Sequence, residues 1–143
     1  MSLFGSLEVS ASGMSAERAR AELLVQNIAN SETTRTPEGG PYQRKDVVFS
    51  SEEQISPFSA MFQNAAGIGV TVSDVITDQR PPVQRYLPGH PDADANGYVA
   101  FPNMNPAEDM VDLLNSQRSY SANVAAISSV KDMISRSIDI MRS

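Results

Sequence analysis

A chain of 143 residues with 41% hydrophobic content and few aromatics suits one domain, or a small domain inserted into a helical stalk. The net charge of −6 is spread along the chain without a basic run, so the footprint of a nucleic-acid binder is missing and an anionic membrane surface is disfavoured. The lack of cysteine excludes disulfides, thiolate metal sites and cysteine nucleophiles. No apolar run approaches the roughly twenty residues that a membrane-spanning helix needs. The start, MSLFGSLEVSASGMS, has neither a positive n-region nor an apolar h-region. The expectation is a cytoplasmic protein, or one exported by a route that reads something other than a cleavable signal.

The first expected element is a helix from about Leu3 to Asn30. Leu7, Ala11, Met14, Ala21, Val25 and Ile28 recur at spacings of three and four, with Arg18 interrupting. Apolar residues every 3.5 on average make a seam along one helix face. Gly5 and Gly13 each cost about 1 kcal/mol relative to Ala, so this helix is expected to order only when packed. Asn30 to Thr34 breaks the period with residues that bond their own backbone, and Pro37, Gly39, Gly40 and Pro41 mark a loop.

The middle carries strand signals. Tyr42 to Phe49 ends in an apolar run, and Ile68, Val70 and Val72 alternate with Gly69, Thr71 and Ser73. Val83 to Leu87 and Tyr98 to Phe101 are two further candidates, punctuated by Pro81-Pro82, Pro88-Gly89 and Asn96-Gly97. Ser50 to Gly67 has no clear period and reads as a loop, flexible or ordered by a partner. Arg44, Lys45 and Asp46 cluster at a strand end. Two readings stand: a salt-bridged contact between subunits, or a solvated strand edge protected from aggregation by charge.

The last segment has a sharp start. Asn105 can cap, Pro106 fits the first helical position and Glu108 lies three residues after the cap. Met110, Leu113, Tyr120, Val124, Ile127, Ile134, Ile138 and Met141 then form a second seam, interrupted by Gln117 and Lys131. The spacing predicts a helix on the order of 50 Å long at 1.5 Å per residue.

A seam in water needs a partner, and each terminal helix is the nearest partner for the other. Leu113, Tyr120, Val124 and Ile127 are expected to anchor against Met14, Ala21, Val25 and Ile28. The fold class is α+β: residues 1–34 and 105–143 as helices of a coiled-coil core, and 35–104 as a small, strand-rich, loop-heavy insert. The outer face of the last helix has no charge between Ser119 and Val130, only small residues and amides. Isolated coils carry Glu and Lys there. Either this helix packs on more than one side, or Ser and Ala serve as ordinary surface residues.

The run SGMSAERARAELLVQNIANSETTRT resembles the shared start of bacterial flagellar axial proteins. With GGPYQRKDVVF, PGHPDADANGYVAFPNMN and EDMVDLLNSQRSYSANVAAI it is similar to the FlgC family, the proximal rod proteins of the flagellar basal body. These blocks cover about two thirds of the chain in the family's order; 50–67 and 77–85 match only loosely. The resemblance implies an antiparallel coiled coil facing the rod lumen, with the insert toward the outside. It implies terminal helices that are disordered in the monomer and fold on assembly, in keeping with the glycines and small polar surfaces. It implies export through the flagellar secretion apparatus to the periplasm. The implied partners are copies of the chain, other rod proteins, and the export gate or rod adaptor and surrounding rings.

Chemistry gives little competition. Asp92-Ala93-Asp94-Ala95-Asn96-Gly97 imitates the start of an EF-hand loop, but position 12 falls on Asn103, where a bidentate Glu is needed. An Asx-rich turn is the better reading. His90 is the only histidine, and no nucleophile-elbow motif accompanies it. Gly67-Ile68-Gly69 lacks the rest of a phosphate-binding fingerprint. Of the carboxylate pairs, Glu52-Glu53 reads as solvated and Glu108-Asp109 suits a helix N-terminus. No catalytic residue, metal or cofactor is expected. The expectation is a structural, non-enzymatic subunit of the flagellar rod that polymerises through its terminal helices and transmits torque. The alternatives are a free-standing coiled-coil adaptor or export chaperone, which would form a closed dimer, and a small hydrolase using the insert.

Overall fold

The computed structural model describes residues 3–52 and 68–142. Two long helices enclose four strands in the order α1 (Leu3–Ala29), β1 (Lys45–Glu52), β2 (Gly69–Thr77), β3 (Val83–Tyr86), β4 (Tyr98–Phe101) and α2 (Pro106–Arg142). This is the expected α+β arrangement of paired terminal helices around a small insert of antiparallel strands.

Local chemistry sets the start of α2. The Ala107 N–H donates to Asn105 Oδ1 at 3.1 Å, and Asn105 Nδ2 donates to Glu108 Oε1 at 3.1 Å. Pro106 supplies a fixed φ where no N–H is needed. Glu108 and Asp109 place negative charge in the first turn, where the helix dipole favours it. At the end of α1, Asn30 Nδ2 donates to the Gln26 carbonyl at 2.8 Å. Thr33 Oγ1 then donates to Asn30 Oδ1 at 3.2 Å, closing the chain into the following turn.

The insert holds two separate two-stranded sheets. β1 runs antiparallel to β2, from Lys45 opposite Thr77 to Glu52 opposite Gly69, with a bulge between Val48 and Phe49. Ser73 is the extra residue of that bulge, and its hydroxyl donates to the Val48 carbonyl at 3.0 Å. β3 pairs with β4, Val83 opposite Phe101 and Tyr86 opposite Tyr98. The connection between them returns through Gly97 at φ 80, where a Cβ would come within 2.9 Å of Tyr86 Cε2. Asp94 Oδ1 accepts from the N–H groups of Asn96 and Tyr98, both at 2.8 Å, so the EF-hand-like run is an Asx turn.

α1 is the central element, with α2 along one side and the β1–β2 hairpin against another. The hairpin approaches closely at Gly69, where an added Cβ would lie 3.2 Å from Ser12 Oγ. The adjacent Val70 N–H donates to that hydroxyl at 3.0 Å. The buried apolar core among the described residues is small: Ala16, Leu24, Val99, Phe101 and Val130.

The strands differ from expectation in detail. β1 begins at Lys45 rather than Tyr42, because Tyr42 and Arg44 are drawn toward the helices. It also runs on through Ser50 and Ser51 to Glu52, where a loop was expected. The rest of that loop, residues 53–67, lies outside the described residues. β2 extends past Ser73 to Thr77 because the bulge carries the alternation through a phase change.

Candidate assembly interface

The helices of the pair run antiparallel. Gly13 stands against Asn123, where a Cβ would meet the Asn123 amide nitrogen at 3.1 Å. Four residues further along α1, the Ser116 hydroxyl lies 2.8 Å from both the Glu17 carbonyl and Glu17 Oε2. The side of α2 turned to α1 is therefore a heptad row of Asp109, Ser116, Asn123 and Val130, alongside Leu113, Tyr120, Ile127 and Ile134. The first row is mostly polar, and Asp109 and Ser116 are fully covered. The sequence reading placed its seam by apolar residues and missed this row. Its signal was present all the same, as a strict seven-residue spacing of Asp, Ser, Asn and Val.

The expected seam residues divide accordingly. On α2, Leu113, Ile127 and Ile134 are half-buried, whereas Met110, Val124 and Ile138 form the neighbouring row and are exposed. Tyr120 is 42% and Met141 78% exposed. On α1, Leu7, Met14, Ala21 and Ile28 are half-buried. Ala11 and Val25 are exposed with Arg18, which pairs with Glu22 at 3.0 Å on the solvent side. The structure thus leaves a broken apolar stripe on each helix uncovered. Between the stripes lies an open groove of about 550 Å³ lined by Glu17, Arg18, Ala21, Ser116, Gln117, Tyr120 and Ser121. Its walls come from the two helices alone.

At the other end of the pair, the insert is fastened to both helices. Asn27 is wholly buried and pairs with Lys45 as a strand residue would: Asn27 Nδ2 donates to the Lys45 carbonyl at 2.8 Å, and the Lys45 N–H donates to Asn27 Oδ1 at 3.0 Å. The Tyr42 hydroxyl donates to the same Oδ1 at 3.0 Å. Burial, with the Asp109 charge nearby, holds the Tyr42 phenol above its ordinary pKa. Arg44 reaches α2 and donates to Asp109 Oδ1 through Nε at 2.9 Å and Nη2 at 2.8 Å. Asp46 and Asp112 stand 3.9 Å from the same guanidinium. Asp109 Oδ2 is buried without a hydrogen-bond partner among the described residues. Of the expected charged cluster, Arg44 turns inward to a helix of its own chain, Lys45 is exposed, and Asp46 is half-buried.

Beside this clasp lies a polar cleft of about 420 Å³ that includes Tyr42, Arg44, Lys45, Asp78, Arg80 and Asn103 in its lining. Arg80 Nε donates to Asp78 Oδ2 at 2.7 Å, which holds the Asp78 carboxyl below its ordinary pKa and raises that of Arg80. His90 is a turn residue whose Nδ1 accepts from the Asp92 N–H at 3.1 Å, and the Thr34 hydroxyl donates to Asp92 at 2.8 Å. Among the described residues, no cluster of three or more His, Asp or Glu is placed to hold a metal ion. Among the described residues, no helix is long and apolar enough to cross a membrane.

The two helices thus form a stem that carries an uncovered apolar stripe, with a small β unit inserted at one end. Known proteins place it among flagellar components. Residues 95–140 match the family model described as flagellar basal body rod FlgEFG protein C-terminal. The flagellar basal-body rod protein FlgC of Borreliella burgdorferi is 37% identical over 151 residues, covering 99% of each chain. The FlgC protein of Bacillus subtilis is 40% identical over 150 residues, covering 98% of this chain and 99% of its own. That of Salmonella typhimurium is 35% identical over 140 residues, covering 98% of each. The chain belongs to the FlgC family of flagellar basal-body rod proteins, and its place is the flagellar basal body. These relatives are structural rod proteins, consistent with the non-enzymatic role expected from the sequence.

Proposed function

We propose that this protein is a subunit of the proximal part of the flagellar rod, and that it polymerises through the outer faces of its helix pair to carry torque from motor to hook. The observation that carries this reading is the division of the apolar helix residues. One set is covered within the chain, and a second set, with Val25, Met110, Val124 and Ile138 on it, is left outside. A stripe of that kind on a helix pair needs cover from another chain. Contacts of this sort are heterologous, so they build a helical assembly rather than a closed ring of two. The neighbours are copies of this chain and other rod proteins. Of the Arg44, Lys45 and Asp46 cluster, Lys45 and Asp46 are the two that reach the edge of the insert, where they can contact a neighbouring subunit. Export through the flagellar secretion apparatus to the periplasm completes the reading, with the export gate or rod adaptor as the first neighbour.

The test is Val124→Asp. Val124 is 43% exposed, so a carboxylate there meets water in the free chain and apolar surface in the assembly. The variant is expected to remain soluble, with unchanged helix content by circular dichroism, and to leave a deletion strain non-motile. Normal swimming by that strain would refute assembly through this face.

A further inference from the structure

β3 is exposed along all four of its residues and pairs on one side only, with β4. The Leu87 N–H donates to the Gly97 carbonyl at 2.8 Å, one step beyond the pair of Tyr86 and Tyr98. In an antiparallel ladder such bonded pairs alternate with unbonded ones. Val83 and Arg85 therefore turn their backbone groups to β4, and Gln84 and Tyr86 turn theirs to the outer edge. Tyr98 shows the same parity from the other strand. Its N–H donates to Asp94 Oδ1 and its carbonyl accepts from the Asp94 N–H, both at 2.8 Å, so Asp94 caps the outer edge of β4 there. Asn27 caps the backbone of Lys45 at the start of β1 in the same way. Among the described residues, no group does this for Gln84 and Tyr86.

An open edge is a template for another strand. Two features say which kind. Pro82 and Pro88 bracket the edge, and neither has an N–H. An antiparallel β3 of a second copy can then pair through both Gln84 and Tyr86 in one register only, which sets Arg85 opposite Arg85. The neighbouring registers place Pro82 opposite Tyr86 or Pro88 opposite Gln84, where an N–H is required. Like charges directly opposite are destabilising, so the edge rejects its own copy. The second feature is Arg85 itself. Its guanidinium lies 4.6 Å from the centre of the Phe101 ring and has no carboxylate partner among the described residues. Towards an added strand Arg85 would stand in an unbonded pair, where side chains come closest.

We infer that the outer edge of β3 receives an extended segment of a different basal-body chain as a third, antiparallel strand. The segment carries an Asp or Glu opposite Arg85. It carries an apolar residue opposite Tyr86, on the face where Tyr86 and Tyr98 stand edge to face with ring centres 5.3 Å apart. The backbone donors and acceptors of Gln84 and Tyr86 hold it, and the carboxylate selects it over a second copy. This surface belongs to the insert and is independent of the helix faces.

Amide hydrogen exchange at single-residue resolution tests this on the full chain, alone and in purified basal bodies. The amides of Gln84 and Tyr86 are expected to exchange quickly in the dilute isolated chain and about tenfold more slowly in basal bodies. Equal rates in the two would overturn the proposal. Slow exchange in the dilute chain would mean that the chain covers its own edge. Slowing that grows with the concentration of the pure chain would mean a second copy. Either result overturns the proposal. Substitutions separate backbone from side chain. Gln84→Pro deletes an N–H that faces away from β4, so the edge is lost while the β3–β4 ladder remains. It is expected to leave the melting temperature of the isolated chain unchanged and to impair swimming when supplied to a deletion strain. Gln84→Ala keeps the N–H and should restore swimming. Swimming with Gln84→Pro equal to the parent's would overturn the proposal. If Gln84→Pro melts early, the exchange measurement decides alone. Arg85→Glu should impair swimming and Arg85→Lys should not; full swimming with Arg85→Glu would overturn the acidic occupant. Val124→Asp bears on the helix faces and none of these outcomes does, so the two readings fail separately.

Discussion

Asn27 does for α1 what a neighbouring strand would do, giving one donor and one acceptor to the backbone of Lys45. An amide at that site satisfies the start of β1 while remaining fully buried. Arg44 and Asp109 are coupled differently. Their contact takes a carboxylate that is 1% exposed out of water, and its value depends on both partners being present. Arg44→Met is expected to destabilise the protein by about 3 kcal/mol, because it leaves Asp109 buried and uncompensated. Adding Asp109→Leu should recover most of that loss. Urea denaturation of the two variants and the parent checks both statements, and an equal loss in the single and double variants would contradict this account. None of these residues stood out in the sequence as a core position. Their roles depend on contacts 18 and 65 residues apart, which local patterns do not encode.

Elements were legible where their determinants are local. The first residue of α2 follows from Asn105, Pro106 and Glu108, and the expected bounds of β4 are those observed. The bulge in β1–β2 was not legible, since nothing in Val48-Phe49 or Ser73 distinguishes it from regular ladder. The seam was half legible. Two adjacent apolar rows on α2 look alike by spacing, and only the position of α1 decides which is covered. Gly13 shows how closely the helices approach. Alanine there should add up to about 1 kcal/mol of helix propensity, offset by displacement of the Asn123 amide at 3.1 Å. That amide is the end of a movable side chain, so Gly13→Ala is expected to be mildly stabilising. The branched Gly13→Val should be destabilising. Thermal melts of the two variants should shift in opposite directions.

Over the whole molecule, cohesion is graded. The insert end of the stem holds Asn27, Tyr42, Arg44 and Asp109 in one bonded set. The far end holds the first turns of α1 and the last turns of α2, where Ile138 is 48% and Met141 78% exposed. Amide hydrogen exchange of the isolated chain should therefore be slowest around Leu24–Asn27 and Asp109–Ser116, and fastest before Val9 and after Ile134. Uniform protection along both helices would indicate a self-sufficient coil and favour an adaptor over a rod subunit. The glycines of α1 and the uncharged outer face of α2 foreshadow this gradient. They do not locate the firm end, which long-range polar contacts create.

The antiparallel pairing has a mechanical corollary. The start of α1 and the end of α2 lie at the same end of the stem, and the insert closes the other. A pull that separates those two helix ends loads the seam one rung at a time, so each step breaks few contacts and the pair peels open at low force. A pull between the insert and the far end runs along the helix axes instead of across the seam and meets far greater resistance. One chain can thus be drawn out easily from its loose end and still act as a stiff member along its length.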